Sequence, residues 1–441
     1  MIRRVGLILW LSLFLVACTA SDSGTDAASS TTESDEAAVV EVDFYYPTAV
    51  GGPIADIFNG YAEAFNEQNP GINVNTTYAG SYDDIAAAVQ TEIQGAGSGP
   101  DVAVMLSIDL HTFKDNGYIV PVQDFIDQMD DADTYTSDFF PAFMENSMDA
   151  DGAIWSVPFQ RSTPVLYYNK DLFSETGLDP EKPPANRAEL IEYGKQLTLP
   201  NGEQWGILIP SSGFPYWMFQ SFAIANGQNV IGASPAEVYF DHPAVISALE
   251  DFVSLIEEGV MPEGEVVWGD TPTDFISGNA AMIYHTTGSL TNILSNAEFE
   301  VGVANLVAGD EGYGTPTGGG NLYMFSTSSP EEQAAAWEWV QYLSSPEILA
   351  DWGVATGYIA ARQSSWETEA LKSLVAEKPQ YAVALGQLEY AEKELSTHQG
   401  VDIRAIFNQA ISRTIAGEMS AAEALAVAQE EADALLAPYL E

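Results

Sequence analysis

The sequence predicts an α/β protein with two domains, and three observations carry that prediction. Short apolar runs of strand character alternate with segments whose apolar residues recur every three or four positions, the pattern of parallel βαβ units. The chain has 441 residues, and about 400 of them follow a polar N-terminal stretch, more than one hydrophobic core usually holds. Hydrophobic residues make up 46% and aromatics 11% of the sequence, so material for real cores is present.

The elements follow in order. Residues 40–46 alternate and read as the first strand. Residues 53–68 place Ile54, Ile57, Phe58, Tyr61 and Phe65 on one helix face, and the breaker cluster Asn69-Pro70-Gly71 ends it. A strand over 72–78, a helix over 82–93, a turn over 95–100 and a short apolar strand over 101–106 complete the alternation. Residues 149–152 form a hairpin turn. A calcium loop is excluded there, because its first and twelfth positions hold Ser147 and Pro158 in place of the required acidic ligands. A helix is expected over 188–197 after Pro183-Pro184, and a buried strand over 205–209. Helices over 243–258, 330–343 and 346–352 each begin at a proline, where the missing N–H costs nothing. Two more, over 403–416 and 421–436, close the chain.

The N-terminus sets the expected compartment. Arg3 and Arg4 precede an apolar run over 5–16, shorter than the roughly 20 residues of a spanning helix and right for a signal peptide. The run ends in Leu15-Val16-Ala17-Cys18, which resembles a bacterial lipobox, so Cys18 is expected to carry the lipid anchor. Residues 1–18 then form the lipoprotein signal peptide, and 19–38, rich in Ser, Thr, Ala and acids, form a disordered tether. The mature protein is expected to be secreted and held at the membrane by its lipid alone, periplasmic or cell-surface. Cys18 is the only cysteine, which excludes an internal disulfide framework.

Charge excludes one class of partner. The chain carries 64 acids against 14 Lys plus Arg, a formal charge of −50. Such a surface repels nucleic acid as well as itself, so no DNA or RNA partner is expected. Catalytic chemistry finds no assembled set either. His111, His242, His285 and His398 lie scattered without metal-ligand spacing, and no Walker A loop, HExxH helix or GxSxG elbow is present. No cofactor, metal or catalytic residue is expected.

The most specific segment is 157–171, Val-Pro-Phe-Gln-Arg-Ser-Thr-Pro-Val-Leu-Tyr-Tyr-Asn-Lys-Asp. It resembles the stretch of extracellular solute-binding proteins of ABC importers where the chain first crosses between lobes, and is most similar to the sn-glycerol-3-phosphate-binding branch. Gly177-Leu178-Asp179-Pro180, Gly278-Asn279-Ala280-Ala281-Met282, Gly288-Ser289-Leu290, Gly318-Gly319-Gly320, Thr356-Gly357-Tyr358 and Asp402-Ile403-Arg404 continue the match in order from about residue 42 to 437. The resemblance implies a two-lobed periplasmic-binding-protein-like fold with discontinuous lobes joined by hinge strands: 39–155 plus 290–345 as the N-terminal lobe and 156–289 plus 346–441 as the C-terminal lobe. It also implies capture of a small polar ligand by hinge closure and delivery to the importer's membrane subunits.

The family's binding positions fall on Tyr82, Ser162, Thr286, Gly319, Tyr358 and Arg404. Arg404 is expected to grip phosphate oxygens with its planar fork of donors. Arg161, Thr287 and Trp217 are secondary candidates, with Trp217 suited to stack on a sugar or a choline-like cation. Where the branch carries a glutamate at the end of the third strand this chain has Ser107, with Asp109 two residues on. Three readings follow: a binding protein for sn-glycerol-3-phosphate or a glycerophosphodiester, one for an oligosaccharide, and, remotely, a lipid-tethered phosphodiester hydrolase.

Overall fold

A computed structural model describes residues 38–440 of the chain; the expected signal peptide, nearly all of the tether and Cys18 lie outside that range. Ten strands occur among the described residues: β1 (Val40–Tyr46), β2 (Ile72–Tyr78), β3 (Val102–Leu106), β4 (Val157–Ser162), β5 (Pro164–Asn169), β6 (Met282–Thr286), β7 (Val301–Ala304), β8 (Thr315–Pro316), β9 (Gly318–Met324) and β10 (Ala391–Glu392). The first sheet has the order β2-β1-β3-β9-β4. β1 runs parallel to β2, with Val40 opposite Ile72 and Tyr46 opposite Tyr78, and parallel to β3. The helices Ile54–Gln68 and Tyr82–Ala96 make the crossovers, as the alternating pattern predicts. β9 then returns antiparallel between β3 and β4.

The second sheet has the order β6-β5-β7, all antiparallel, and β8 and β10 form a small parallel pair. β4 ends at Ser162 in the first sheet and β5 begins at Pro164 in the second, so Thr163 alone spans the two. Proline is tolerated there as the first residue of a strand. The fully buried Gln387 ties this crossing down: its Nε2 donates to Thr163 Oγ1 and Pro164 O, both at 3.0 Å, while its Oε1 accepts from Leu306 N at 3.2 Å. Of the segments expected in each lobe, β4 pairs within the five-stranded sheet and β7 within the three-stranded one.

Most helix limits fall where capping chemistry puts them. Ser81–Asp84, Ser329–Glu332 and Ser420–Glu423 are capping boxes, each supplying partners for orphan N–H groups of the first turn. The helices starting at Pro243, Pro330 and Pro346 begin where predicted, although the last runs on to Thr356, ended by Gly357 at φ +97°. Two expectations need correction. Residues 205–209 make only isolated bridges, Trp205 to Ala280 and Leu208 to Ile283, and Gly206 lies so close to the Gly194 backbone that a Cβ there would meet Gly194 O at 2.4 Å. The helix Pro215–Ala225 has no counterpart in the reading above: all eleven of its residues are buried, so it shows no polar face and no amphipathic period.

Core packing also departs from two independent cores. Apolar side chains of both sheets join one continuous cluster, from Phe44, Phe58 and Trp339 through Phe159 and Trp352 to Tyr167 and Phe275. A smaller cluster on the other face of β3 holds Ala103, Met105, Ile85, Phe113 and Phe325. The acidic exterior leads to a prediction: thermal unfolding should shift upward from low to molar salt, because added ions screen the self-repulsion of 64 carboxyl groups. Equal midpoints in both conditions would refute it.

Candidate ligand-binding site

A half-open pocket, with about 30 Å³ of free cavity volume, lies where the ends of β3, β4, β6 and β9 meet. Its wall is made by Tyr82, Ser162, Thr286, Gly319 and Tyr358 together with Ala49, Val50, Leu106, Phe214, Trp217, Trp268 and Glu394. Each polar member is positioned by its local structure. The Ser81 cap sets Tyr82 at the first turn of its helix, with the hydroxyl donating to Gln160 Oε1 at 2.5 Å. Ser162 is the last residue of β4 and Thr286 the last of β6, where strand ends face a cleft. Tyr358 follows the left-handed Gly357 and stacks on Trp352, with ring centroids 5.8 Å apart. Burial pushes the Tyr358 hydroxyl up to about 12 and that of Tyr82 well above its usual value, so both remain neutral.

Gly319 is a glycine for a steric reason. Its φ is +95°, and a Cβ there would lie 1.9 Å from the Gln160 carbonyl oxygen. The aromatic wall is equally fixed. Trp217 Nε1 donates to Thr317 O at 2.8 Å, and Trp268 Nε1 donates to Ala49 O at 3.0 Å, joining the segment before β6 to the one after β1. His285 packs against Trp268 at 4.0 Å between centroids, and burial pushes its imidazole down to about 3, so it stays neutral and supports the indole.

Behind the wall sits a buried charged cluster. Glu394 is the one charged residue of the cavity lining. Its Oε1 accepts from Tyr216 Oη at 2.9 Å and its Oε2 from Ser107 Oγ at 3.4 Å. Burial pushes its carboxyl up to about 7, against the pull of the Arg161 guanidinium. Arg404 Nη1 donates to Asp109 Oδ1 at 2.9 Å, a pair with 8% and 2% of its side chains exposed. Arg161 is fully buried: Nη1 donates to Gly319 O at 3.3 Å and Asn321 Oδ1 at 3.2 Å, while Nε and Nη2 have no partner among the described residues.

The structure therefore brings five of the six primary candidates to one cavity and adds Trp217. Arg404 does not line it. The expected anion grip is occupied by Asp109, which serves as the counter-charge of Arg404 and not as a cavity carboxylate. Ser107 reaches the site only through Glu394, Arg161 stands behind Gly319, and Thr287 has a buried hydroxyl outside the lining. Glu394 and Phe214 escaped sequence reasoning. Nothing local marks Glu394 among 64 acids.

Two sheets joined by crossing strands around a cavity define a two-lobed solute-binding protein of the kind that serves ABC importers. The model of the family described as bacterial extracellular solute-binding protein matches residues 60–381, and the chain belongs to that family. The sn-glycerol-3-phosphate-binding periplasmic protein UgpB of Pectobacterium atrosepticum is 26% identical over 421 residues, covering 90% of this chain and 92% of that protein. Among solved structures, UgpB from Mycobacterium tuberculosis in complex with glycerophosphocholine matches with a TM-score of 0.80 at 23% identity, over 91% of this chain and 99% of the other. Maltose-bound T. maritima MalE3 matches with a TM-score of 0.79 at 22% identity, over 90% and 100%. Proteins of this family hold small ligands for membrane permease subunits and are not enzymes, which removes the hydrolase reading. Among the described residues, no helix is long and apolar enough to cross a membrane.

Proposed function

We propose that this protein captures a glycerophosphodiester by hinge closure, while tethered to the membrane by a lipid on Cys18, and passes it to an ABC importer. The observation that carries the reading is the convergence of Tyr82, Ser162, Thr286, Gly319 and Tyr358 on one cavity beside an aromatic wall. The hydroxyls of Ser162, Thr286 and Tyr358 and the open backbone at Gly319 suit phosphate oxygens, since they donate without a fixed counter-ion. Phe214, Trp217 and Trp268 suit an organic head group, which stacks on ring faces. A diester fits better than a bare phosphate dianion because no guanidinium lines the cavity. Closure would swing the two sheets about Thr163 and the segment held by Gln387, so we propose lobe boundaries at these crossings.

One observation favours a second reading, an oligosaccharide. A carboxylate set among aromatic rings also suits a sugar, whose hydroxyls donate to Glu394 while its faces stack on the indoles. Calorimetry with glycerophosphocholine, sn-glycerol-3-phosphate and maltose separates the two. Binding of the diester and not of maltose is the expected result; the reverse overturns the proposal.

A further inference from the structure

We propose that capture of a monoanionic ligand in this cavity is coupled to the uptake of one proton by Glu394. The inference rests on the phosphodiester reading and adds to it a proton-linked residue that fixes the ligand's charge. Glu394 lines the cavity and is 1% exposed, yet no cation lies within ion-pairing distance among the described residues. Its carboxyl is held by two neutral hydroxyls, those of Tyr216 and Ser107. Its backbone is fixed on both sides, with Glu394 N donating to Asn146 Oδ1 at 3.1 Å and Asn146 Nδ2 donating to Glu394 O at 3.2 Å. The side chain therefore faces whatever enters.

The charges around it decide the direction. Arg161 faces it from β4, Arg404 from the helix Gly400–Ile415, Asp109 from the turn Ser107–Asp109 and Tyr216 from the helix Pro215–Ala225. Tyr82 and Tyr323 also feel its charge, and burial keeps both phenols neutral. Arg161 and Arg404 are cationic, Asp109 is anionic against Arg404, and an ionised Glu394 brings these four buried groups to zero; Asp83, 3.9 Å from Arg404 Nη2, is 85% exposed and its charge is screened by solvent. A phosphodiester entering then adds an unbalanced charge next to buried charged groups, which is strongly unfavourable. With Glu394 protonated the cluster carries one positive charge, and one diester charge neutralises it. A neutral sugar needs no such proton.

The sign follows from linkage. Binding raises the Glu394 pKa above its free value of about 7, so affinity is full below that value and falls as pH rises through it. A diester does not itself titrate in this range. Titration calorimetry with glycerophosphocholine at pH 6, 7 and 8, in buffers of different ionisation enthalpy, reads both quantities. Affinity should drop roughly tenfold from pH 6 to pH 8, with nearly one proton taken up per ligand at pH 8 and almost none at pH 6. Glu394→Gln should bind at pH 8 about as tightly as the unaltered protein does at pH 6, without proton uptake. Diester binding that is independent of pH and releases or takes up no proton overturns the proton coupling while leaving the diester reading intact. So does uptake that persists in the glutamine variant. Failure to bind the diester at any pH, with maltose bound instead, overturns both. The buffer series on the unaltered protein decides the matter even where the variant does not fold.

Discussion

Replacing Arg404 with alanine should destabilise the folded protein by about 3–5 kcal/mol, the cost of leaving a buried charge without its partner. Asp109 is 1% exposed, and its Oδ1 takes the Arg404 guanidinium at 2.9 Å while Oδ2 has no partner among the described residues. With Arg404 gone, burial acts unopposed on the Asp109 carboxyl and pushes it up. The folded state of the variant then prefers a neutral Asp109, so its deficit should shrink as pH falls. Two further variants separate this cause from lost packing. Arg404→Leu with Asp109→Leu should recover most of the stability, because a buried pair replaced by apolar groups costs little. Arg404→Ala alone should weaken ligand binding less than it weakens the fold, since the side chain does not line the cavity. Urea denaturation at pH 5 and pH 8 provides the measurement. A loss below about 1 kcal/mol, or no recovery in the double variant, would show that the pair does not hold the two segments together.

What the sequence disclosed depended on whether the signal was local. The parallel start of the first sheet was legible because β1, β2 and their helices carry two-residue and three-to-four-residue periods, punctuated by Asn69-Pro70-Gly71. The crossing at Thr163 was legible from the specific string 157–171. The helix Pro215–Ala225 was not, because burial on every side erases the amphipathic pattern. At the site, Tyr82, Ser162, Thr286, Gly319 and Tyr358 each sit at or just past the end of an element, where a short motif marks the position. Glu394 sits in the irregular stretch between β10 and the helix Gly400–Ile415, and its role arises from Ser107, Tyr216 and Arg161, which are far away in sequence. Arg404 shows the converse limit. It was expected to grip the ligand, but the structure gives its guanidinium to Asp109, 295 positions away, and no local pattern announces an ion pair over that distance.

Gly319→Ala should be among the most damaging single-methyl changes, costing about 3 kcal/mol or more and abolishing ligand binding with it. Two independent penalties coincide there. The backbone φ of +95° lies in the region that side chains rarely adopt, which alone costs of order 1–3 kcal/mol. The added carbon would also lie 1.9 Å from the carbonyl oxygen of Gln160, a backbone atom in the paired strand β4 that cannot rotate away. The only relief is to part β9 from β4, and that displaces Gly319 O from Arg161 and Ser162 from the cavity wall. Two glycines serve as controls. At Gly320 a new Cβ meets Val104 Cγ1 at 2.7 Å and Tyr82 Oη at 2.9 Å, side-chain atoms that can yield, so alanine there should cost less than at Gly319. At Gly386 nothing lies within 4 Å and φ is not positive, so alanine should be neutral or stabilising by up to about 1 kcal/mol. Thermal and urea unfolding of the three variants should rank them Gly319, Gly320, Gly386 from most to least damaged. A Gly319→Ala protein as stable as the Gly386 variant would mean that β4 and β9 can separate freely at the cavity, and the site would then lack the rigid floor on which its ligand contacts depend.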